Sequence, residues 1–423
     1  MSEAAAPDPS NRPWRRALAL ITVISLLNAM ASMIVVPVLP NLAKSFTHDT
    51  SHALQYVGWF TATFALVQLL AAPVLGSLSD AYGRRTVILI SAFGLAADYM
   101  FMALAPSIGW LFVGRMIAGV TSASAAAVNA YIADSIPAQE RAGAFGWTGA
   151  AFATGFLLGP SLGGLLGGIS LRLPFYVSAG LCLAAALYGL IILPESLPRE
   201  RRTPFRFKTA NPWGAFRFLV ERPPVRGLVG VLWIMQVAAG CLPPTIVLYT
   251  QYRYHWPMGL ASVYLTYAGL GHLVVQSLVV KPFVRRFGER TAAITGFAST
   301  AVGFLIYATA PVGLIFPIGM PFYAMAGLVG PAVQSRLTRL VAPTEQGRLQ
   351  GTNASLTSLA QMFAPLMFTQ LCALAIGPAG RGTLPPGLHI YVAAAILACG
   401  ALLAARNLRP AVGEIAVSAA RIA

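Results

Sequence analysis

The 423-residue chain is 57% apolar and only 10% charged, yet carries a net charge of +16. A water-soluble domain is about a quarter charged, so this composition excludes a chain wetted on every side and requires lipid over much of its surface. The cations are dispersed between long apolar runs, which excludes a nucleic-acid-binding arm or face. Cys182, Cys241, Cys372 and Cys399 lie scattered in apolar segments with no CxxC pair, so no disulfide framework, metal centre or cofactor is expected.

Arg12, Arg15 and Arg16 precede an apolar run from about 17 to 39. That run is too long for a cleaved signal and reads as a retained first crossing. A bilayer-spanning helix needs ~20 mostly apolar residues. Runs that meet this fall near 17–39, 54–78, 86–105, 110–132, 145–169 and 173–193, then near 226–249, 260–280, 291–310, 315–340, 353–375 and 389–406. The expected fold class is therefore all-α integral membrane, with twelve transmembrane helices. With the N-terminus inside, 24 of the 29 Lys and Arg residues fall in inner segments or inner helix ends. Four fall outside (Lys44, Arg172, Arg253, Arg381), and Arg115 lies within a span. The positive-inside rule then places both termini in the cytoplasm.

Two six-helix halves are predicted, 1–193 and 226–423, joined by a basic cytoplasmic linker at 194–225. The halves repeat each other. Gly76–Thr86, between the second and third runs, ends in Gly83-Arg84-Arg85-Thr86. Val284–Thr291, between the eighth and ninth, ends in Gly288-Glu289-Arg290-Thr291, an offset of 205. Pro137 through Arg141 against Pro343 through Arg348 gives 206. Internal repeats flanking a central binding site are a transporter signature.

Charges within spans are costly and mark function. The assignment leaves two deep ones, Asp98 in the third run and Arg115 in the fourth, at similar depth on consecutive antiparallel helices. Asp98 reads either as a proton carrier or as a permanent ion-pair partner of Arg115. Asn129 lies fourteen residues after Arg115 and extends a polar stripe. His272 and Gln276 form another in the eighth run, where His272 is either a helix–helix hydrogen-bonder or a proton relay. Gln68 and Asn28 are isolated polar residues on the same expected pathway. Gly155, Gly159 and Gly163 repeat at i+4, with Pro160 and Gly164 beside them, and make a smooth stripe for close helix contact. No phosphate-binding loop or catalytic constellation is present, so no enzyme activity is expected.

Gly76-x3-Asp80-x2-Gly83-Arg84-Arg85 resembles the loop 2–3 signature of the major facilitator superfamily. Gly76 would allow close helix approach, Gly83 a tight turn, and Asp80 and Arg84 an i, i+4 pair. The resemblance implies a conformational latch formed with Arg141. Gly155 through Gly164 resembles the span-5 signature of drug–proton antiporters in that superfamily. More closely, Met33–Pro40, Gly76–Arg85, Asp98-Tyr99, Gly114–Thr121, Ile132–Arg141, Gly159-Pro160 and Gly269–Gln276 resemble the bacterial tetracycline–proton antiporters. By that resemblance Asp80, Arg84, Asp98, Arg115, Arg141 and His272 occupy functional places. Asn28 and Thr300 stand where that family has acidic residues. The implied activity is export of a small amphipathic molecule in exchange for protons from the bacterial inner membrane, by a monomer whose partners are its substrate, protons and lipid. Proton-coupled uptake or exchange of a metabolite by the same fold is the alternative.

Overall fold

A computed structural model describes residues 13–122, 125–137, 139–203, 222–341 and 345–408, and every regular element among them is helical. Lipid offers backbone groups no partners, and a helix satisfies them within its own segment. Up to residue 192 the helices are α1 (Pro13–Val35), α2 (Leu39–Thr47), α3 (Thr50–Tyr82), α4 (Arg84–Ala103), α5 (Ile108–Thr121), α6 (Ala125–Ser135), α7 (Arg141–Ile169) and α8 (Leu173–Ile192). From Pro223 onward they are α9 (Pro223–Ala239), α10 (Leu242–Tyr254), α11 (Met258–Val274), α12 (Val280–Thr309), α13 (Met320–Ala324), α14 (Val329–Leu340), α15 (Gln346–Ile376) and α16 (Leu388–Asn407).

Among the described residues, ten helical segments are long and apolar enough to cross a membrane. One of them, Met258–Thr309, holds two predicted crossings, divided where Gly288 takes φ 79. The predicted fourth crossing holds α5 and α6, with residues 123–124 between them outside the described residues, and the tenth is a mosaic of 3-10 and α turns from Phe316 to Leu340. Other interruptions have visible causes. The first apolar run breaks after Val35 at Pro37, which has no backbone N–H to donate. The seventh breaks at Gly240, and α10 restarts with Pro243 in its first turn, where a missing donor costs nothing.

The chain divides into two compact units, Met1–Leu42 with Thr63–Asn211 and Ala43–Ala62 with Pro212–Ala423. Residues 204–221 of the predicted linker lie outside the described residues. The simple halves lacked one feature: Ala43–Ala62 groups with the second unit. Ser51 Oγ donates to the Ala373 carbonyl at 2.9 Å, and Gln370 Nε2 to the Gln55 carbonyl at 3.4 Å. Gly58 lies where a Cβ would sit 2.0 Å from Thr369 Oγ1.

In the first unit α1 packs along α7 and α8, and α4 packs along α8. The glycine stripe explains the first contact. A Cβ at Gly155 would strike Ala29 at 2.7 Å, one at Gly159 would strike Met33 at 2.3 Å, and one at Gly163 would strike the Ile34 carbonyl at 2.0 Å. Gly164 and Pro160 are buried beside the stripe, and α7 runs through Pro160 as one helix. Ile21, Ile24, Val87, Tyr131, Ile132 and Leu193 fill the core between α1, α4, α6 and α8. In the second unit α12 lies along α16, and α9 along α15 and α16. Its core holds a cluster of aromatic rings: Tyr307 stacks on Phe316 at 4.5 Å, and Tyr264 meets Phe316 edge-on at 5.2 Å.

Candidate functional site

The two deep charges of the first unit meet. Asp98 on α4 is fully buried, and its Oδ2 lies 3.8 Å from Arg115 Nη2 on α5. Gly114 makes the room, since a Cβ there would lie 2.6 Å from Met102 Cγ and 3.2 Å from Asp98 Oδ1. Arg115 is held from two other sides, by Met102 Sδ at 2.7 Å and by the Phe64 ring 5.8 Å from its guanidinium carbon. Neither oxygen of Asp98 accepts a hydrogen bond among the described residues. A structural Arg–carboxylate pair makes charge-assisted bonds at about 2.7–2.9 Å, often two at once. This carboxyl has a cation near enough to influence it but not bonded to it, an arrangement open to a proton.

The loop between α3 and α4 is a dense polar knot. Gly83 takes φ 104 and ψ 150, a region essentially reserved for glycine. The turn was expected. Asp80 and Arg84 form an ion pair across the Gly83 turn, α3 ending at Tyr82. Arg84 Nε also donates to Asp134 at 3.0 Å and its Nη1 to Ser79 Oγ at 3.2 Å. Glu195 Oε1 accepts the backbone N–H of Arg84 at 2.9 Å, and Arg85 Nη2 donates to the Leu190 carbonyl at 2.6 Å. Arg141 Nε donates to the Ile136 carbonyl at 3.0 Å. The close-approach reading of Gly76 needs correcting, because a Cβ there would meet nothing within 4 Å among the described residues.

In the second unit a cavity of about 580 Å³ opens between α9, α11, α12, α14 and α15. His272 and Gln276 line it, and Thr300 borders it with its hydroxyl donated to the Gly296 carbonyl at 2.6 Å. Gln276 lies in a π-helical turn, Val275–Val279. Such bulges are frequent at functional sites. Sequence reasoning missed Gln236, Gln334 and Asn353, which also line this cavity. Gln236 carried the signal that singled out Gln68, a lone amide inside an apolar run. Gln334 lies within the predicted run 315–340 and Asn353 at the start of 353–375, and neither carries a charge to mark it.

Three predicted pathway residues are not gathered here. Asn28 Oδ1 is buried without a partner on α1, and Gln68 is half-buried on α3. Asn129 is exposed on α6. The face it is predicted to share with Arg115 runs through residues 123–124, which lie outside the described residues.

The family model described as Major Facilitator Superfamily matches residues 21–365. The class C tetracycline resistance protein of Escherichia coli is 40% identical over 84% of this chain and 90% of its own length. The class G protein of Vibrio anguillarum is 37% identical over 86% and 92%. A crystal structure of the nucleoside transporter NupG, 13% identical, superposes with a TM-score of 0.73 over 93% of this chain and 100% of that one, which supports the fold alone. The chain belongs to the major facilitator superfamily, within its drug–proton antiporters.

Proposed function

We propose that this protein exports a tetracycline-like amphipathic molecule from the bacterial cytoplasm in exchange for protons, with both termini on the cytoplasmic side of the inner membrane. Asp98 is its principal coupling carboxyl. The observation that carries the assignment is the Asp98–Arg115 geometry: a fully buried carboxylate 3.8 Å from its cation, with no hydrogen bond to either oxygen. An uncompensated buried charge is costly, and taking up a proton relieves that cost. Arg115 cannot do this, because guanidinium stays protonated in proteins. The cation supplies the pull that favours release when the carboxyl is reopened to water. The cavity of the second unit, with His272 and Gln276, is the substrate site. The Asp80–Arg84 knot acts as the conformational latch of alternating access, and the protein works as a monomer.

The test uses everted membrane vesicles energised with a pH gradient and loaded with tetracycline. Asp98→Asn keeps the shape and removes the titration, so uphill accumulation is expected to stop while substrate binding persists. His272→Gln is expected to weaken binding and leave the remaining flux responsive to the gradient. Gradient-driven accumulation in Asp98→Asn, with loss of gradient response in His272→Gln, would move the coupling role to the histidine.

A further inference from the structure

A groove of about 560 Å³ opens on the first unit between the start of α1 and the start of α7. Its lining includes Trp14, Arg15, Leu18 and Val23 of α1 and Trp147 of α7. It shares no residue with the second unit's cavity or with the Asp98–Arg115 pair. Among the described residues the lining holds one charge, Arg15, and no carboxylate.

Its polarity is graded along the helix. Arg15 lies at the start of α1, and the lining beyond it is mostly apolar, with Leu18, Ala19 and Val23. From Trp14 to Val23 the axis runs about 14 Å at 1.5 Å per residue. The headgroup layer of one leaflet is only roughly 5–8 Å deep, so the groove passes from headgroup depth into hydrocarbon. Trp14 and the 63% exposed Trp147 mark its walls, and tryptophan is enriched where membrane meets water. The guanidinium carbon of Arg15 lies 5.5 Å from the Trp14 ring centroid, and Arg15 has no carboxylate partner among the described residues. The ring restrains the side chain and leaves its in-plane N–H donors for an anion, the edge that matches a phosphate. A charge at one end and apolar wall at the other is the polarity of a phospholipid.

We propose that this groove binds one glycerophospholipid of net negative charge, its phosphate on Arg15 and an acyl chain along Leu18, Val23 and the Trp147 ring. With the N-terminus cytoplasmic, as proposed above, the lipid comes from the leaflet whose surface is negative. A zwitterionic phospholipid has the same chains and phosphate but adds a cation, which Arg15 repels and no carboxylate of the groove receives. One cation beside an anionic lipid surface is worth about fivefold in affinity, and that is the preference expected. The site is independent of what the protein transports.

Native mass spectrometry of the full chain in detergent counts bound lipids during titration with phosphatidylglycerol or with phosphatidylcholine of identical acyl chains. The first phosphatidylglycerol is expected to bind about fivefold more tightly than the first phosphatidylcholine. Arg15→Gln is expected to make the two equal by weakening phosphatidylglycerol alone, so phosphatidylcholine binding serves as the control for folding. Arg15→Lys retains the charge and should keep the preference. Arg406→Gln removes a cation near the end of α16, outside the groove, and should change nothing. Trp147→Ala removes wall rather than charge and should weaken both lipids alike. Phosphatidylglycerol brominated on its acyl chain then locates the site, because it should quench the tryptophan fluorescence of the wild type more than that of Trp147→Phe. Equal binding of the two lipids to the wild type would overturn the proposal, as would a preference that survives Arg15→Gln. A preference that Arg406→Gln also abolishes would reduce it to diffuse surface charge, and quenching unaltered in Trp147→Phe would place the lipid elsewhere. A dimer that forms on removal of lipid and is lost in Trp147→Ala would give the groove to a second copy of the chain instead.

Discussion

At Gly83 and at Gly288, 205 residues apart, the backbone takes one conformation, φ 104 with ψ 150 and φ 79 with ψ 165. The arginine two residues after each glycine reaches a backbone carbonyl: Arg85 that of Leu190, and Arg290 that of Ala405 at 3.2 Å. Arg84 pairs with Asp134, fifty residues on, and Glu289 pairs with Arg339, also fifty residues on. The signs are opposite. The repeat has kept the turn and the ion pair while exchanging which partner carries which charge. What the fold needs at this place is therefore a neutralised contact across fifty residues, and the sign is free. The first loop adds Ser79, Asp80 and Glu195 around its arginine. Arg285, at the place of Asp80, is exposed and makes no ion pair among the described residues. The excess contacts of the first loop are the part that a structural staple does not require, which is why the latch role is assigned there.

The largest effect that would sharpen this contrast comes from the glycines. Alanine at either position enters backbone space worth about 1–3 kcal/mol of strain. At Gly83 the added Cβ would also lie 2.2 Å from Glu195 Oε2, whereas at Gly288 it would meet nothing within 4 Å. Gly83→Ala should therefore lose clearly more stability than Gly288→Ala. A thiol-reactive fluorophore measures both on heating, because Cys182 in the first unit and Cys241 and Cys372 in the second are buried. Exposed Cys399 is replaced by serine to remove background. Equal midpoints for the two variants would mean that the Glu195 contacts contribute nothing.

The sequence showed the glycines of this repeat and not the inverted pair. Asp134 reads there as a residue near a helix end and Arg339 as topology charge, and only the fold brings each to its partner. Asp98 with Arg115 was legible because a bilayer leaves so few charges inside spans that depth alone nearly picks the pair. Gln334 and Asn353 in the second unit's cavity were not, since a neutral amide carries much less cost inside a span than a charge does. Nor was the grouping of Ala43–Ala62 with the second unit. Gly58, which allows α3 to lie against Thr369, is one unmarked glycine among the chain's 40.

A charge exchange in the first loop should have the next largest effect. Arg84→Asp combined with Asp134→Arg preserves one pair of opposite charges. It also sets the new aspartate against Asp80 and the acceptor Glu195, and removes the donor to Ser79. With Arg84 only 12% exposed, the loss is about 2–3 kcal/mol. Adding Asp80→Arg should recover part of it by completing the inverted arrangement that the second loop already has. Failure of that triple variant to improve on the double one would break the claim that sign is free at this position.

The smallest effect is expected from the same exchange in the second loop, Glu289→Arg with Arg339→Glu. Glu289 is 14% exposed but Arg339 is 58% exposed, and a pair with one solvated end contributes about 0–1 kcal/mol. Each single variant should cost a few tenths of a kcal/mol to about 1 kcal/mol, mainly by leaving a charge without its partner. The double variant should return to within error of wild type, because the new arginine would lie near an Arg285 that is solvated and already unpaired. Raising the salt concentration should shrink the differences among these variants, as it does for solvent-exposed charges. It should shrink the first loop's penalty less, because that arginine is enclosed. The thermal midpoint of each variant at two ionic strengths decides it. A double exchange in the second loop as damaging as the one in the first would show that this loop, too, depends on the sign of its charges, and the assignment of the latch to the first loop alone would fall.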